Sequence, residues 1–594
     1  MTKSDHEQLP SSRAKKPNEQ DNEPDTNENA DSSTGVPHIH VSQLPNGVEL
    51  QITADVPEGV RLQITLERIP TEHTEREHEP VSKVLLSTPA STPRKARIRF
   101  PQLTILSKKL FEDTKRAIYR LATTIRERLG AIPRLDRISP ELVFLGISIV
   151  LYLTTRLWGI DRFPIFFYSD EANNVLFGEQ VLRQDFRGSD DALLPVYFEW
   201  DYDRWAPVLP VYIHALTSAL FGKSILIARA TTSLLGFLGV LAVAFLLRQI
   251  FKTRLWWMSV LLLTSIPAWF LYTRTAFETV VGTALYACFL LCYMLYRYRS
   301  PQYLYAAIVL GACAFYSYSN LQAVMILIAL LLFISDFRYH KQHPNVFVGS
   351  LLLIAALSLP FLRFRIQHPT AIEDHLRSIH SYWTEPSSPQ EKIVQYVRHY
   401  LRGLSPFYWF LVENGEENIL PNQRMPETGN LPLFMLPLML IGIASCLRHW
   451  RSSAHRSVLI AAFVIPAGAA MDSIEIPRVL AFVVPATVLA ILGLEWLSQK
   501  LNRIPHPAQA TTLLLTFSLM GLGMFRESLL EGPTWNTDYG LYGTQFGVKQ
   551  VFEETVPQLL EDNPDAVIIM STTWANNTHL FPYFFLTPDQ RRRV

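Results

Sequence analysis

Charge is scarce in this sequence. Only 18% of its 594 residues are Asp, Glu, Lys or Arg, while 48% are hydrophobic, which is too apolar for an ordinary soluble enzyme. The charges nearly cancel, leaving a formal net charge of +1. That balance says little about partners and gives no reason to expect nucleic acid among them. Cysteine is rarer still. Cys288, Cys292, Cys313 and Cys446 all lie in apolar runs without histidine partners, so they are expected to pack as small apolar groups rather than hold zinc. No cleavable signal peptide is visible at the N-terminus, which leaves targeting to the first true span.

What the sequence has instead is a series of apolar stretches of roughly 16–25 residues, the length that crosses a hydrocarbon core. Spans are read at about 140–159, 224–250, 255–273, 277–296, 302–319, 321–336, 346–362, 430–447, 456–471, 478–497 and 509–524. This predicts an all-α polytopic membrane protein with about 11 transmembrane helices. With residues 1–139 on the cytoplasmic side, the loops 248–254, 297–299, 337–343, 448–456 and 499–506 fall on that side too. All are basic, as the positive-inside rule asks. The agreement requires that 208–221, short and with Pro207 and Pro210 at its start, lies at the outer interface without crossing. Three sizeable regions are then outside: 160–223, 363–429 and 525–594.

The flanks read differently. Residues 1–37 are polar and nearly free of large apolar groups, the composition of a disordered tail. Residues 38–100 form a small β-rich cytoplasmic region in which 44–52 is echoed by 56–64, each a turn followed by an alternating strand. Residues 101–139 read as a basic amphipathic helix suited to an anionic membrane surface, or to packing on the preceding β region. At the other end, 526–594 is expected to be an outer soluble α/β module. It would contain an amphipathic helix over 548–560 and a buried strand over 566–570, and would be incomplete or in need of a partner.

The stretch Phe167-Tyr168-Ser169-Asp170-Glu171-Ala172-Asn173-Asn174 follows the first span. Aromatic residues suit the headgroup level, and apolar residues after it recur at helical spacing, so Asp170 falls at a helix start. There it is either an N-cap alone or a reacting carboxylate. Other polar groups gather at the same predicted face: Arg204 in the first outer loop, Arg229 inside the second span, Arg274 and Glu278 where the third span turns into the fourth, Tyr316 and Tyr318 after the fifth, and Arg478 before the tenth. Charges at membrane depth are costly, about 2.5–3.5 kcal/mol each on insertion scales, so their clustering suggests a shared cavity. Arg274 and Glu278 could equally form an i,i+4 ion pair, and Arg229 and Arg478 could snorkel to headgroups.

Asp170-Glu171-Ala172 resembles the Asp-Glu motif of integral-membrane glycosyltransferases with the GT-C fold, the protein O-mannosyltransferase and aminoarabinose transferase-like group (glycosyltransferase family 39-like). Similarity continues through Pro207–Tyr212, Leu220–Ser224, Ala228-Arg229-Ala230, Tyr272–Glu278, Tyr316-Ser317-Tyr318 and Pro477-Arg478, and covers about 140–525. Gln322 stands where many relatives carry Arg, and Glu278 replaces an Asp often found there. The resemblance implies transfer of a sugar from a polyprenyl-phosphate donor to a protein, lipid or glycan acceptor on the non-cytoplasmic side of a cell membrane. It implies a general base at Asp170, supporting roles for Glu171 and Glu278, and carrier or sugar binding by Arg204, Arg229, Arg274, Tyr316, Tyr318 and Arg478. It allows a divalent metal, Mg or Mn, but the sequence supplies no decisive ligand set. A transporter or flippase of lipid-linked substrates, or a glycan polymerase or ligase, are the alternatives. A transporter would place its charges near the midplane in repeated halves, and no such repeat is visible.

Overall fold

A computed structural model describes residues 139–594 apart from 189–191, 202–203, 412–423, 502–503, 533–546 and 572–576. The expected N-terminal tail, β-rich region and basic helix lie outside the described residues. The remainder is a multi-pass helical membrane protein. Among the described residues six helices are long and apolar enough to cross a membrane: Pro140–Leu157 (α1), Ile225–Phe251, Glu278–Tyr298, Pro344–Gln367, Ile476–Lys500 and His506–Leu530. Other predicted spans are helical but shorter, as at Tyr303–Phe315 and Met435–Arg448, or broken.

The break in the predicted span 255–273 has a visible cause. Helix Met258–Thr264 stops, and Pro267 opens a second short helix, Pro267–Tyr272, because proline cannot donate the next backbone hydrogen bond. The carbonyls freed at the break need partners inside the bundle. Arg156, at the end of α1 and fully buried, supplies them: its Nη2 donates to the carbonyls of Leu263 (2.9 Å) and Thr264 (3.2 Å).

Between α1 and the second long helix the chain builds a cap. Helix α2 (Ser169–Arg183) is followed by the antiparallel hairpin β1 (Tyr197–Asp201) and β2 (Arg204–Pro207), then helix α3 (Leu209–Phe221). α2 and α3 pack closely. The hairpin docks on the end of Pro344–Gln367, where the Tyr197 ring stacks on Phe364 at 4.0 Å. Elsewhere small residues set the helix spacing. Met435–Arg448 and Val483–Lys500 cross at Gly442 and Gly493, where an added Cβ would stand 2.0 Å from the carbonyl oxygens of Leu489 and Leu438 respectively. This close approach lets backbones pack without lipid between them. Pro344–Gln367, by contrast, buries little beyond Ser350 and Phe364 and leaves an apolar surface for lipid.

The expected α/β module at the C-terminal end is corrected by the structure. Among the described residues, 566–570 belong to no sheet, and the segments around them are helical: Gln550–Thr555, Val556–Asp562, Leu580–Phe585 and Pro588–Arg591. Val567 and Ile569 are exposed, while Ile568 and Met570 pack inward. The segment is held instead by Arg593, whose Nε donates to the Ala566 carbonyl (3.0 Å) and whose own carbonyl accepts the Ile568 N–H (2.7 Å). Nor does this segment keep a core to itself. Phe552, Phe581 and Phe584 are buried together with Phe167, Ala172 and Val175, so it forms the packing behind the Phe167–Asn174 stretch.

Candidate active site

Tyr168 is the residue before the first turn of α2, and the Glu171 carboxylate reaches back to accept its N–H at 3.2 Å. The capping is therefore done by Glu171 at the third helical position, not by Asp170 as an N-cap. Asp170, one residue earlier on the helix, points elsewhere. It lines a polar chamber of about 270 Å³.

The elements around the chamber each contribute a group the sequence could be made to yield. Arg204 comes from β2, Glu278 from the first residue of Glu278–Tyr298, Tyr318 from the residue preceding helix Ser319–Ser335, and Arg478 from the turn Ile476–Val479. Part of Asp170 is open to the chamber, yet burial raises its carboxyl to a pKa of about 6, with Arg204 opposing the rise and Glu171 adding to it. Glu278 Oε2 is buried without a hydrogen-bond partner among the described residues. Arg478 is aimed by ionic contacts to Asp472 and to Glu475 (3.7 Å) and by a hydrogen bond to Ser473 Oγ (2.6 Å).

Alongside lies a second cavity of about 260 Å³, this one largely apolar, walled by Phe315, Ile326, Phe361, Phe364 and Leu376. Trp205, Asn320, His375 and Arg478 line both cavities. A polar chamber thus adjoins an apolar groove, with an arginine and a histidine at the junction.

Four of the sequence-selected residues are placed outside this chamber. Glu171 is fully buried and gripped by Arg229 through a forked pair, Nε to Oε2 at 2.8 Å and Nη2 to Oε1 at 2.9 Å. Its Oε2 also accepts the Ala276 N–H at 2.8 Å. Arg229 completes its donors on the carbonyls of Ile160, Pro164 and Phe166. Arg274 makes no ion pair with Glu278; it is fully buried and donates to the carbonyls of Thr155, Arg156, Trp158, Gly159 and Phe163 at 2.6–3.2 Å. These carbonyls lie at and just beyond the end of α1, where a cation also meets the negative end of the dipole. Tyr316 turns away to donate to the Leu357 carbonyl at 2.7 Å.

Sequence reading missed Asn174, Trp200 and His375, all of which line the chamber. Asn174 follows Asp170 by one helical turn, a spacing that could have found it. No local pattern marks His375. Among the described residues no three His, Cys, Asp or Glu side chains come together as metal ligands, so no step below runs through a metal.

Residues 206–364 match the family described as dolichyl-phosphate-mannose-protein mannosyltransferase. That match is to this segment alone. The matched segment begins within β2 and ends inside Pro344–Gln367, so it includes Glu278 and Tyr318 but not Asp170, Arg204 or Arg478. No curated protein sequence matches the chain. Among solved structures it is similar to ArnT from Cupriavidus metallidurans, in the apo state (TM-score 0.49, 13% identity) and bound to undecaprenyl phosphate (0.48, 14%), each over 75% of this chain and 84% of that one. It is also similar to the oligosaccharyltransferase AglB from Archaeoglobus fulgidus in complex with an inhibitory peptide and a dolichol-phosphate (0.43, 13%; 65% of this chain, 55% of that one). Likeness at this level gives no residue-to-residue correspondence.

Proposed function

We propose that this GT-C glycosyltransferase moves a sugar from a polyprenyl-phosphate carrier to a hydroxyl-bearing acceptor at the non-cytoplasmic membrane face. One observation carries the reading: the carboxylate-bearing chamber adjoins an apolar groove, and Arg478 lines both. A lipid-linked sugar needs that division, with the hydrocarbon in the groove, the phosphate at the junction and the sugar among polar groups. In the reaction the acceptor oxygen attacks the anomeric carbon and Asp170 takes its proton. The bond from that carbon to the phosphate oxygen breaks, and the electron pair stays on the phosphate, held by Arg204 and Arg478. The direct test is transfer of labelled sugar from polyprenyl-phosphate donors to candidate acceptors in membranes containing the protein. Absence of transfer with both hexose and pentose donors would defeat the proposal.

The base must be ionised to work. With Asp170 raised to about 6, the transfer rate is expected to climb as pH rises through about 6 and to fall off below it. A profile flat from pH 5 to 7 would remove Asp170 as the titrating base.

Arginine-to-lysine exchange separates the two kinds of arginine, because lysine keeps the charge and loses the fork. Arg478→Lys is expected to weaken binding of the lipid donor roughly tenfold, the loss of about one charge-assisted hydrogen bond, with little change in thermal stability. Arg274→Lys is expected to do the reverse, since one ammonium cannot reach five carbonyls. Donor affinities measured beside melting curves distinguish them. Equal donor affinity for the wild type and Arg478→Lys would take Arg478 out of the site.

A further inference from the structure

His375 sits on the helix Ala371–Ser378, which packs against β2, and it is the one histidine lining either cavity. Its Nδ1 is buried with no hydrogen-bond partner among the described residues. The charges around it do not favour an incoming phosphate as they stand. Asp170, Glu278 and Glu475 line the chamber, and Asp472 lines the groove. The facing cations are Arg204, Arg478 and Arg365. Arg478 is already committed to Asp472 and Glu475, and Arg365 donates to the carbonyls of His368 and Pro369. A phosphate monoester brings close to two further negative charges. A group at the junction that becomes positive as the phosphate arrives would offset that charge.

We infer that His375 is a proton-accepting ligand of the carrier phosphate: neutral in the empty site, it becomes imidazolium when a phosphomonoester occupies the junction, and donates a hydrogen bond to it. The inference rests on the lipid-phosphate reading above and adds a residue and a proton to it. In the empty protein burial lowers the His375 pKa to about 4, with Arg204 and Arg478 adding to the fall and Asp472 opposing it. The imidazole is therefore uncharged at neutral pH until an anion replaces the missing solvation. During transfer the carrier passes from a phosphodiester monoanion to a phosphomonoester. The electron pair of the broken carbon–oxygen bond stays on phosphate as Asp170 gains the acceptor proton. A cationic His375 stabilises that added charge, and it returns its proton to water when the product leaves.

The test is calorimetric binding of a short-chain polyprenyl phosphate between pH 7 and 8.5, where the second phosphate pKa near 6 leaves the ligand itself almost fully ionised. Repeating the titration in buffers of different ionisation enthalpy counts the protons taken up. Wild type is expected to take up about one proton more than His375→Gln, and to lose affinity as pH rises by up to about tenfold per unit, the limit for one linked proton. His375→Gln should bind weakly at every pH. His375→Arg, charged throughout, should restore affinity without the pH dependence. A structural histidine would give none of this pattern. Equal proton uptake in wild type and His375→Gln overturns the inference while leaving the lipid-phosphate reading standing. Failure of the wild type to bind the lipid at all overturns that reading instead. Inorganic phosphate in parallel reports whether the junction takes free phosphate: binding as tight as the lipid's would overturn a carrier-specific role.

Discussion

Asp170→Asn is expected to lower sugar transfer by about 10²–10⁴-fold, the usual contribution of a positioned general base, with the protein still folded. The Asp170 pKa is raised from 3.8 to about 6, so the folded protein holds this proton more tightly than the unfolded chain does. Its contribution to stability is complete below about pH 4 and is lost as pH rises through about 6. At neutral pH the ionised carboxylate opposes folding, and replacing it with a neutral amide should leave melting unchanged or slightly raised. Loss of transfer with retained or improved thermal stability and retained donor binding is the expected result. Wild-type rates in Asp170→Asn would end its assignment as the base, and Glu278→Gln should then be assayed, since its Oε2 is buried without a hydrogen-bond partner among the described residues.

How far the site could be read from sequence depended on what kind of signal each residue carried. Asp170, Glu278, Tyr318 and Arg478 were found because charged or polar residues beside apolar runs must have a destination, and these four share a chamber. The same reasoning selected Glu171, Arg229 and Arg274, whose side chains lie outside that chamber. A buried arginine can satisfy backbone carbonyls left open by a helix end or a break, and hydropathy cannot distinguish that task from binding an anion. Arg156 shows the rule from the other side: it does similar work at the Pro267 break, and nothing in its surroundings announced it. The helices themselves were legible from apolar length. The segment at 566–570 was misread because an apolar run fits a strand, whether or not a neighbouring strand exists to pair with it. His375 had no periodicity or motif to mark it, and only the docking of its short helix on β2 brings it to the junction.

Arg229→Met is expected to cost about 3–5 kcal/mol of stability, the range for removing one partner of a buried ion pair. Three observations set that size. Both side chains are essentially inaccessible to water, with exposures of 1% and 0%. The pair is forked, so two charge-assisted hydrogen bonds go at once. The carbonyls of Ile160, Pro164 and Phe166 lose their donor as well. The carboxylate left behind would still accept N–H groups from Tyr168 and Ala276, but with no cation to offset its charge in a dry site. Adding Glu171→Gln to Arg229→Met removes that stranded charge and should recover part of the loss, whereas two independent defects would add. Detergent-solubilised yield and thermal aggregation of the two single variants and the double variant measure the coupling directly. If Arg229 were instead a phosphate ligand, Arg229→Met would melt like wild type and fail in donor binding. That outcome would move the carrier site away from the Arg478 junction and onto the far side of α2.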